Sequence, residues 1–129
     1  MFEKIKEALA SFKNETGIPN EENLYYYKAI VVNVVDGDTY DLLVSMGFQH
    51  YEVIRFRLAV YNTPEVRGEE REEGLRVKEK VKDMIEGKTV IIKSVKKGSF
   101  QRYLAEVWVD DINLGPHLYE NGDANIWGK

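Results

Sequence analysis

The chain contains no cysteine, which excludes disulfides, thiolate catalysis and cysteine-ligated zinc. Its only histidines, His50 and His117, are far apart in sequence, so one chain cannot form a multi-histidine metal site. No apolar run approaches the roughly 20 residues of a membrane-spanning helix, and no membrane partner is predicted. Acidic residues (22) outnumber basic ones (18), which argues against a uniformly basic surface that coats nucleic acid.

The chain contains enough hydrophobic residues to form the core of one domain. Of its 129 residues, 43% are hydrophobic and 12% aromatic, so wholesale disorder is excluded. Four of the first seven residues are charged, where a secretion signal requires an apolar stretch. The sequence therefore predicts a cytoplasmic protein, with secretion open only if a signal has been removed.

The N-terminal residues predict an amphipathic helix over residues 2–16. Its apolar positions, spaced along one helical face, are Phe2, Ile5, Leu9 and Phe12. We expect this helix to pack on the rest of the domain; the alternative is a helix that binds a partner or a second copy. The chain thus divides into a helical extension, residues 1–24, and a domain, residues 25–129, with the oligomeric state left open.

From residue 25 onward the sequence predicts a small β-barrel. Strands are expected over residues 25–35, 38–44, 51–60, 89–96 and 102–109, and helices over 68–86 and 113–122. Three strands, a helix, two strands and a helix match a five-stranded OB-fold barrel with an inserted helix, an α+β protein that is mainly β.

The third strand has the clearest period-two pattern. Ile54, Phe56, Leu58 and Val60 share the face predicted to point into the core. Arg55 and Arg57 then lie side by side on the opposite, accessible face.

Two polar clusters and one arginine lie at the ends of predicted strands. They are Asp36-Gly37-Asp38-Thr39 at the first hairpin, Asn62-Thr63-Pro64-Glu65 after the third strand, and Arg102 at the start of the fifth. Each alone is ordinary: a turn, a strand exit and a solvated arginine. Pro64 prevents further strand pairing, so Glu65 should leave the sheet in a defined direction.

Together, in this order, the clusters resemble the staphylococcal nuclease (thermonuclease) family. The matching stretches are residues 34–39, 56–58, 62–65 and 102–105. Arg57 precedes Glu65 by eight residues, which is the family's spacing. The resemblance extends over roughly residues 26–122 and leaves the N-terminal extension outside it.

The resemblance implies a phosphodiester hydrolase, an endonuclease acting on DNA, RNA or both. Glu65 would orient and deprotonate the attacking water, and Arg57 and Arg102 would bind the scissile phosphate. A general base and two guanidiniums suit this chemistry, because hydrolysis of an anion requires charge neutralisation.

The resemblance also implies a Ca²⁺ ion, with Mg²⁺ or Mn²⁺ as possible substitutes. Asp38 and the backbone carbonyl of Thr63 would be ligands, and Asp36 would lie beside the ion. Asn62 stands where the family has a second metal carboxylate. An amide oxygen coordinates Ca²⁺ without adding charge, so weaker metal binding is expected unless Asp36 compensates.

Substrate contacts are predicted from four further side chains. Phe100 could stack on a base, Lys96 and Lys97 could contact flanking phosphates, and Arg55 could extend the basic face. The alternatives are a loop anchor for Phe100 and solvated side chains for the others. Residues 87–105 contain five basic residues and no acidic one. This segment is therefore predicted to bind phosphate locally, although the whole chain is acidic.

A second function class stays open: a non-catalytic nuclease-like barrel that binds single-stranded nucleic acid or a protein. Such a module could lose Glu65, Arg57 or Arg102, and the sequence retains all three. Their joint presence favours the enzyme.

Overall fold

The structure is a computed structural model that describes residues 1–12, 19–95 and 103–127. The helices are α1 (Phe2–Ser11), α2 (Arg71–Ile85) and α3 (Leu114–Glu120), with 3₁₀ turns at Glu21–Asn23 and Gly68–Glu70. The strands are β1 (Tyr26–Asp36), β2 (Thr39–Ser45), β3 (Tyr51–Leu58), β4 (Tyr61–Asn62), β5 (Thr89–Val95), β6 (Tyr103–Val109), β7 (Ile112–Asn113) and β8 (Asn125–Ile126).

Five of the strands close into a barrel. They are hydrogen-bonded in the order β3-β2-β1-β5-β6, and β3 also pairs in parallel with β6, which joins the two ends of the sheet. The long β1 makes this possible because its first half pairs with β5 and its second half with β2. The predicted α+β class and five-stranded barrel are confirmed.

The core follows the periodicities of the sequence. In β2, Tyr40, Leu42 and Val44 are buried while the residues between them are partly exposed. Helix α2 covers the barrel with the side chains of Val77, Val81 and Ile85. These residues recur every four positions, which places them on one helical face.

The end of β3 departs from the predicted alternation. Phe56 and Leu58 are buried as expected, but Val60 is 46% exposed and Ala59 is buried instead. The predicted core position of Val60 is therefore wrong. The strand stops at Leu58, and Val60 has a φ of 75°, a left-handed conformation that β-branched residues rarely adopt. This corner reverses which residues face the core and leads directly into β4.

Helix α1 forms but does not pack as expected. Its apolar residues Phe2, Ile5, Leu9 and Phe12 are all exposed, and none of its residues is buried. The expectation that it packs on the barrel is wrong, and the partner-binding alternative stays a prediction. Residues 13–16 of the predicted helix lie outside the described part of the chain. Within that part, no helix is both long enough and apolar enough to cross a bilayer.

A buried carboxylate fastens the C-terminal segment to α2. Asp123 is 2% exposed, and its carboxylate accepts hydrogen bonds from Arg76 (2.7 Å) and Lys80 (2.5 Å). Burial raises the pKa of Asp123, but these two cations outweigh it and hold the pKa below its ordinary value. Two residues further on, Asn125 of β8 pairs with Asn62 of β4.

We expect Asp123→Asn to lower the free energy of unfolding by about 1–3 kcal/mol at pH 7, because it removes the anion of a buried ion pair. The cost stays below that of a fully buried pair, since Arg76 and Lys80 remain partly solvated. A lowered carboxylate pKa stabilises the fold above the unfolded-state pKa, and this stability is lost as the pH falls through the folded-state value.

The difference between variant and wild type should therefore shrink below about pH 4. Urea denaturation at pH 7 and at pH 3 measures it, with exposed Asp83→Asn on α2, the helix of Arg76 and Lys80, as the control. An equal difference at both pH values would contradict the assignment of this stability to an ionised Asp123.

Candidate functional site

The site is built where the corner after β3 meets the β1–β2 turn. We call residues 61–65 the site loop; it contains β4 and the Thr-Pro-Glu sequence. The Asp38 carboxylate Oδ2 accepts a hydrogen bond from the backbone N–H of Thr63 (3.0 Å) and lies 3.5 Å from Arg57 Nη2. Sequence positions 38, 57 and 63, which were predicted to act together, thus meet at one carboxylate.

Asp38 is a buried acid, 7% exposed. Its own N–H donates to Asp36 Oδ1 (3.1 Å), which fixes the two acids within one turn. Burial, followed by the contact with Asp36, raises the pKa of Asp38 to about 6, while Thr63 N–H and Arg57 oppose the rise. At neutral pH this carboxylate is therefore a buried anion that a nearby cation would stabilise.

Arg57 is held on several sides. Its Nη2 donates to Asn62 Oδ1 as well as approaching Asp38, and its guanidinium carbon lies 4.9 Å from the centre of the Trp127 ring. The side chain is 18% exposed. A fixed guanidinium presents preorganised donors to a phosphate. The hydrogen bonds of Arg57 to the described residues use Nη2 alone, so Nη1 and Nε are the donors left for a phosphate oxygen.

Trp127 is a site residue that no motif spacing assigns. Its backbone N–H donates to the carbonyl of Val60 (2.8 Å), just before the site loop. It follows β8, which pairs with β4 over only two residues on each strand. Strands this short leave no periodic signal in a sequence, so the position of Trp127 emerges only from the folded chain.

The oxygens around Arg57 fit a hard cation. Asp38 Oδ2 and Asn62 Oδ1 both face the same guanidinium nitrogen, so the two oxygens already converge on one positive charge. With Asp36 and the carbonyl of Thr63, the donor set is entirely oxygen, as Ca²⁺ prefers. Within the described ranges, no three His, Cys, Asp or Glu side chains come together. A metal here would therefore depend on amide and backbone oxygens as well as on carboxylates.

Glu65 ends the site loop with an exposed side chain. Its backbone N–H donates to the carboxylate of Glu70 (2.8 Å), in the 3₁₀ turn that precedes α2. A cavity of about 300 Å³ lies beside the loop and is lined by residues 62–65, Glu70, Asn125 and Ile126. The Glu65 carboxylate thus has access to solvent at the end of the loop whose Thr63 N–H binds the buried Asp38.

The predicted substrate contacts are only partly described. Arg55 lies on β3 and is exposed, and its guanidinium makes two hydrogen bonds to Asp41 (2.7 and 3.1 Å). These bonds lower the pKa of Asp41. The other predicted side chains, which lie outside the described residues, are Lys96, Lys97, Phe100 and Arg102. In sequence, Arg102 directly precedes β6, the strand that pairs in parallel with β3 and sets Leu104 opposite Arg57.

The closed five-stranded barrel and the oxygen-lined loop beside Arg57 are the features of a nuclease-like barrel. The family model described as staphylococcal nuclease homologue matches residues 55–128, more than half of the chain. The chain belongs to this family, as the sequence resemblance indicated. The match includes the site loop, Arg57 and Arg102, whereas Asp36 and Asp38 precede it. No curated protein matches the chain.

Proposed function

We propose that this protein is a metal-dependent nuclease that hydrolyses phosphodiester bonds in DNA, RNA or both. The observation that supports it most is the convergence of Asp38, Arg57 and the site loop at one place, with Glu65 exposed at the end of that loop. Membership of the nuclease family supports the same reaction class.

Charge neutralisation is the first requirement, because a phosphodiester anion repels an anionic nucleophile. Arg57 donates to a phosphate oxygen from Nη1 or Nε, and Trp127 and Asn62 keep its plane fixed. Arg102 is the second proposed guanidinium, assigned from its motif. Preorganised donors of this kind stabilise the transition state by a few kcal/mol each.

The metal would be held by Asp38, Asn62 and the Thr63 carbonyl, with Asp36 beside it. When bound, Ca²⁺ supplies Lewis-acid stabilisation of the phosphate charge. Ionised Asp38 is the group that gains most, since it is buried beside a second acid. The pKa of Asp38 is raised to about 6 even with Arg57 beside it, so a bound cation would favour the ionised form and metal binding is coupled to its ionisation.

Glu65 is the proposed general base. Its exposed carboxylate takes a proton from water as the water oxygen bonds to phosphorus and the bond to the leaving oxygen breaks. Pro64 fixes the backbone just before it, and Glu70 holds its amide. A positioned carboxylate of this kind contributes about 10²–10⁴-fold to the rate.

Labelled single-stranded DNA and RNA, incubated with the protein and either Ca²⁺ or a chelator, test this proposal. We expect cleavage with Ca²⁺ and none with the chelator. Absence of cleavage with Ca²⁺, Mg²⁺ and Mn²⁺ would contradict the proposal. Retention of intact single strands in a filter-binding assay would then support the non-catalytic binding module instead.

Asn62→Asp is expected to bind Ca²⁺ about tenfold more tightly, equivalent to about 1.4 kcal/mol, because it adds a charge to the ligand set. The gain is limited because the new carboxylate also attracts Arg57, the present partner of Asn62. Calorimetric titration with Ca²⁺ measures it. Asn23→Asp, at an exposed position in the 3₁₀ turn before β1, is the control for added charge alone. Equal or weaker Ca²⁺ binding by Asn62→Asp would rule out Asn62 as a ligand position.

A further inference from the structure

Glycines from three separate elements lie so close to the site loop that a Cβ atom on any of them would overlap it. A Cβ built on Gly37, in the β1–β2 turn, would lie 2.5 Å from Thr63 Oγ1. One built on Gly115 of α3 would lie 2.7 Å from Tyr61 Cε2, and one on Gly74 of α2 would lie 2.5 Å from the Glu65 carbonyl carbon. The loop is thus approached at both ends and in its middle.

Gly74 differs from the other two in what it touches. A Cβ there would overlap the Glu65 carbonyl oxygen and lie 2.9 Å from the carbonyl oxygen of Pro64. These are backbone atoms, whereas a Cβ on Gly37 or Gly115 would meet side-chain atoms. A side chain at position 74 must therefore displace either α2 or the backbone of Glu65.

Gly74 also stands where local preference opposes glycine. It lies in the first turn of α2 and is buried, and glycine is less favourable in a helix than every residue except proline. Alanine would favour the helix itself. The close approach between α2 and Glu65 is a physical reason for glycine at this position.

A second contact holds the same residue from its other side. The N–H of Glu65 donates to Glu70 Oε2 (2.8 Å), and Glu70 ends the 3₁₀ turn that leads into α2. Gly74 lies against the carbonyl of Glu65, and Glu70 binds its amide. Both peptide groups of Glu65 are therefore fixed by the beginning of one helix.

We propose that Gly74 and Glu70 are positioning residues that orient the carboxylate of Glu65 by fixing its backbone. The inference rests on the proposed role of Glu65 as general base. A displacement of about 1 Å at a catalytic group lowers rates by roughly 10²-fold. The start of α2 thus positions the general base, while the rest of the helix packs on the barrel.

Gly74→Ala tests the proposal through a split between kcat and KM. We expect kcat to fall about 10–100-fold, with KM and Ca²⁺ affinity within about threefold of wild type. Glu70→Ala should lower kcat in the same direction, and Glu70→Gln, which keeps an acceptor oxygen, should restore most of it. Unchanged kcat in Gly74→Ala would overturn the proposal.

Gly87→Ala is the matched control. Gly87 follows the other end of α2 with a φ of 81°, and a Cβ there meets nothing within 4 Å. Alanine in this conformation is strained, so the variant should lower the midpoint of thermal unfolding while leaving kcat unchanged. An equal fall in kcat in both variants would show a general loss of stability and contradict a positioning role.

Two measurements separate this inference from the proposed function. In a Glu65→Gln background, Gly74→Ala should lower kcat no further, because both changes act through one carboxylate; a full additional fall would contradict the inference. If Glu65→Gln cleaves as wild type does, the general-base proposal fails. Amide hydrogen exchange then tests separately whether Gly74 fixes the backbone of Glu65. Gly74→Ala should speed exchange at the Glu65 amide at least about tenfold, and unchanged exchange would overturn this role of Gly74.

Discussion

Replacing Glu65 by glutamine is expected to lower kcat by about 10²–10⁴-fold, the typical contribution of a positioned general base. Glutamine has nearly the same size and shape as glutamate and keeps one acceptor oxygen, but it cannot accept a proton from water. The backbone contacts to Gly74 and Glu70 do not depend on the side chain, so the loop should keep its conformation. KM should change little, since Glu65 is proposed to act on water rather than on the phosphate.

Steady-state cleavage of a labelled oligonucleotide at saturating Ca²⁺ measures the effect. Glu72→Gln is the matched control, because Glu72 is exposed on the first turn of α2 and undergoes the same chemical change. We expect it to cleave at the wild-type rate. A Glu65→Gln enzyme as fast as wild type would remove Glu65 from the mechanism.

Arg57→Lys is expected to lower kcat/KM by about 10²–10³-fold, comparable to the loss of one preorganised transition-state donor. Lysine keeps the charge but has neither a planar fork nor a second donor in a fixed direction. It also cannot reproduce the arrangement in which Trp127 and Asn62 fix the guanidinium plane. The loss should therefore reflect geometry rather than charge.

Arg71→Lys provides the matched control, since Arg71 is exposed at the start of α2. Its kcat/KM should equal that of wild type. Urea denaturation of both variants without metal separates loss of fold from loss of catalysis, because Arg57 is also the ion-pair partner of the buried Asp38. Wild-type activity in a correctly folded Arg57→Lys protein would show that the fixed guanidinium has no role.

Most of the barrel could be predicted because its strands have one buried face. Tyr40, Leu42 and Val44 alternate with polar or exposed positions, and Val77, Val81 and Ile85 recur at helical spacing. Periodicity fails where the backbone changes direction, as at Val60, whose positive φ ends the alternation. It also cannot tell whether an amphipathic helix has a partner within the chain, which is why the packing of α1 was mispredicted.

Sequence motifs predicted one part of the candidate site. The other part becomes visible only in the folded chain. The resemblance named Asp38, Arg57 and Thr63, and the structure brings these three together. It does not describe Arg102, which stays a prediction. Trp127 and Gly74 act through contacts between segments distant in sequence, and no local pattern records such contacts.

The central claim is that the oxygens around Asp38 hold a divalent cation on which hydrolysis depends. The rate of DNA cleavage as a function of Ca²⁺ concentration, in wild type and in Asp38→Asn, tests it most directly. The wild-type rate should rise to saturation with Ca²⁺ and vanish with a chelator, and Asp38→Asn should need at least about tenfold more Ca²⁺ for half its maximal rate. Wild-type cleavage that persists with a chelator, or identical Ca²⁺ dependence in the two proteins, would contradict it.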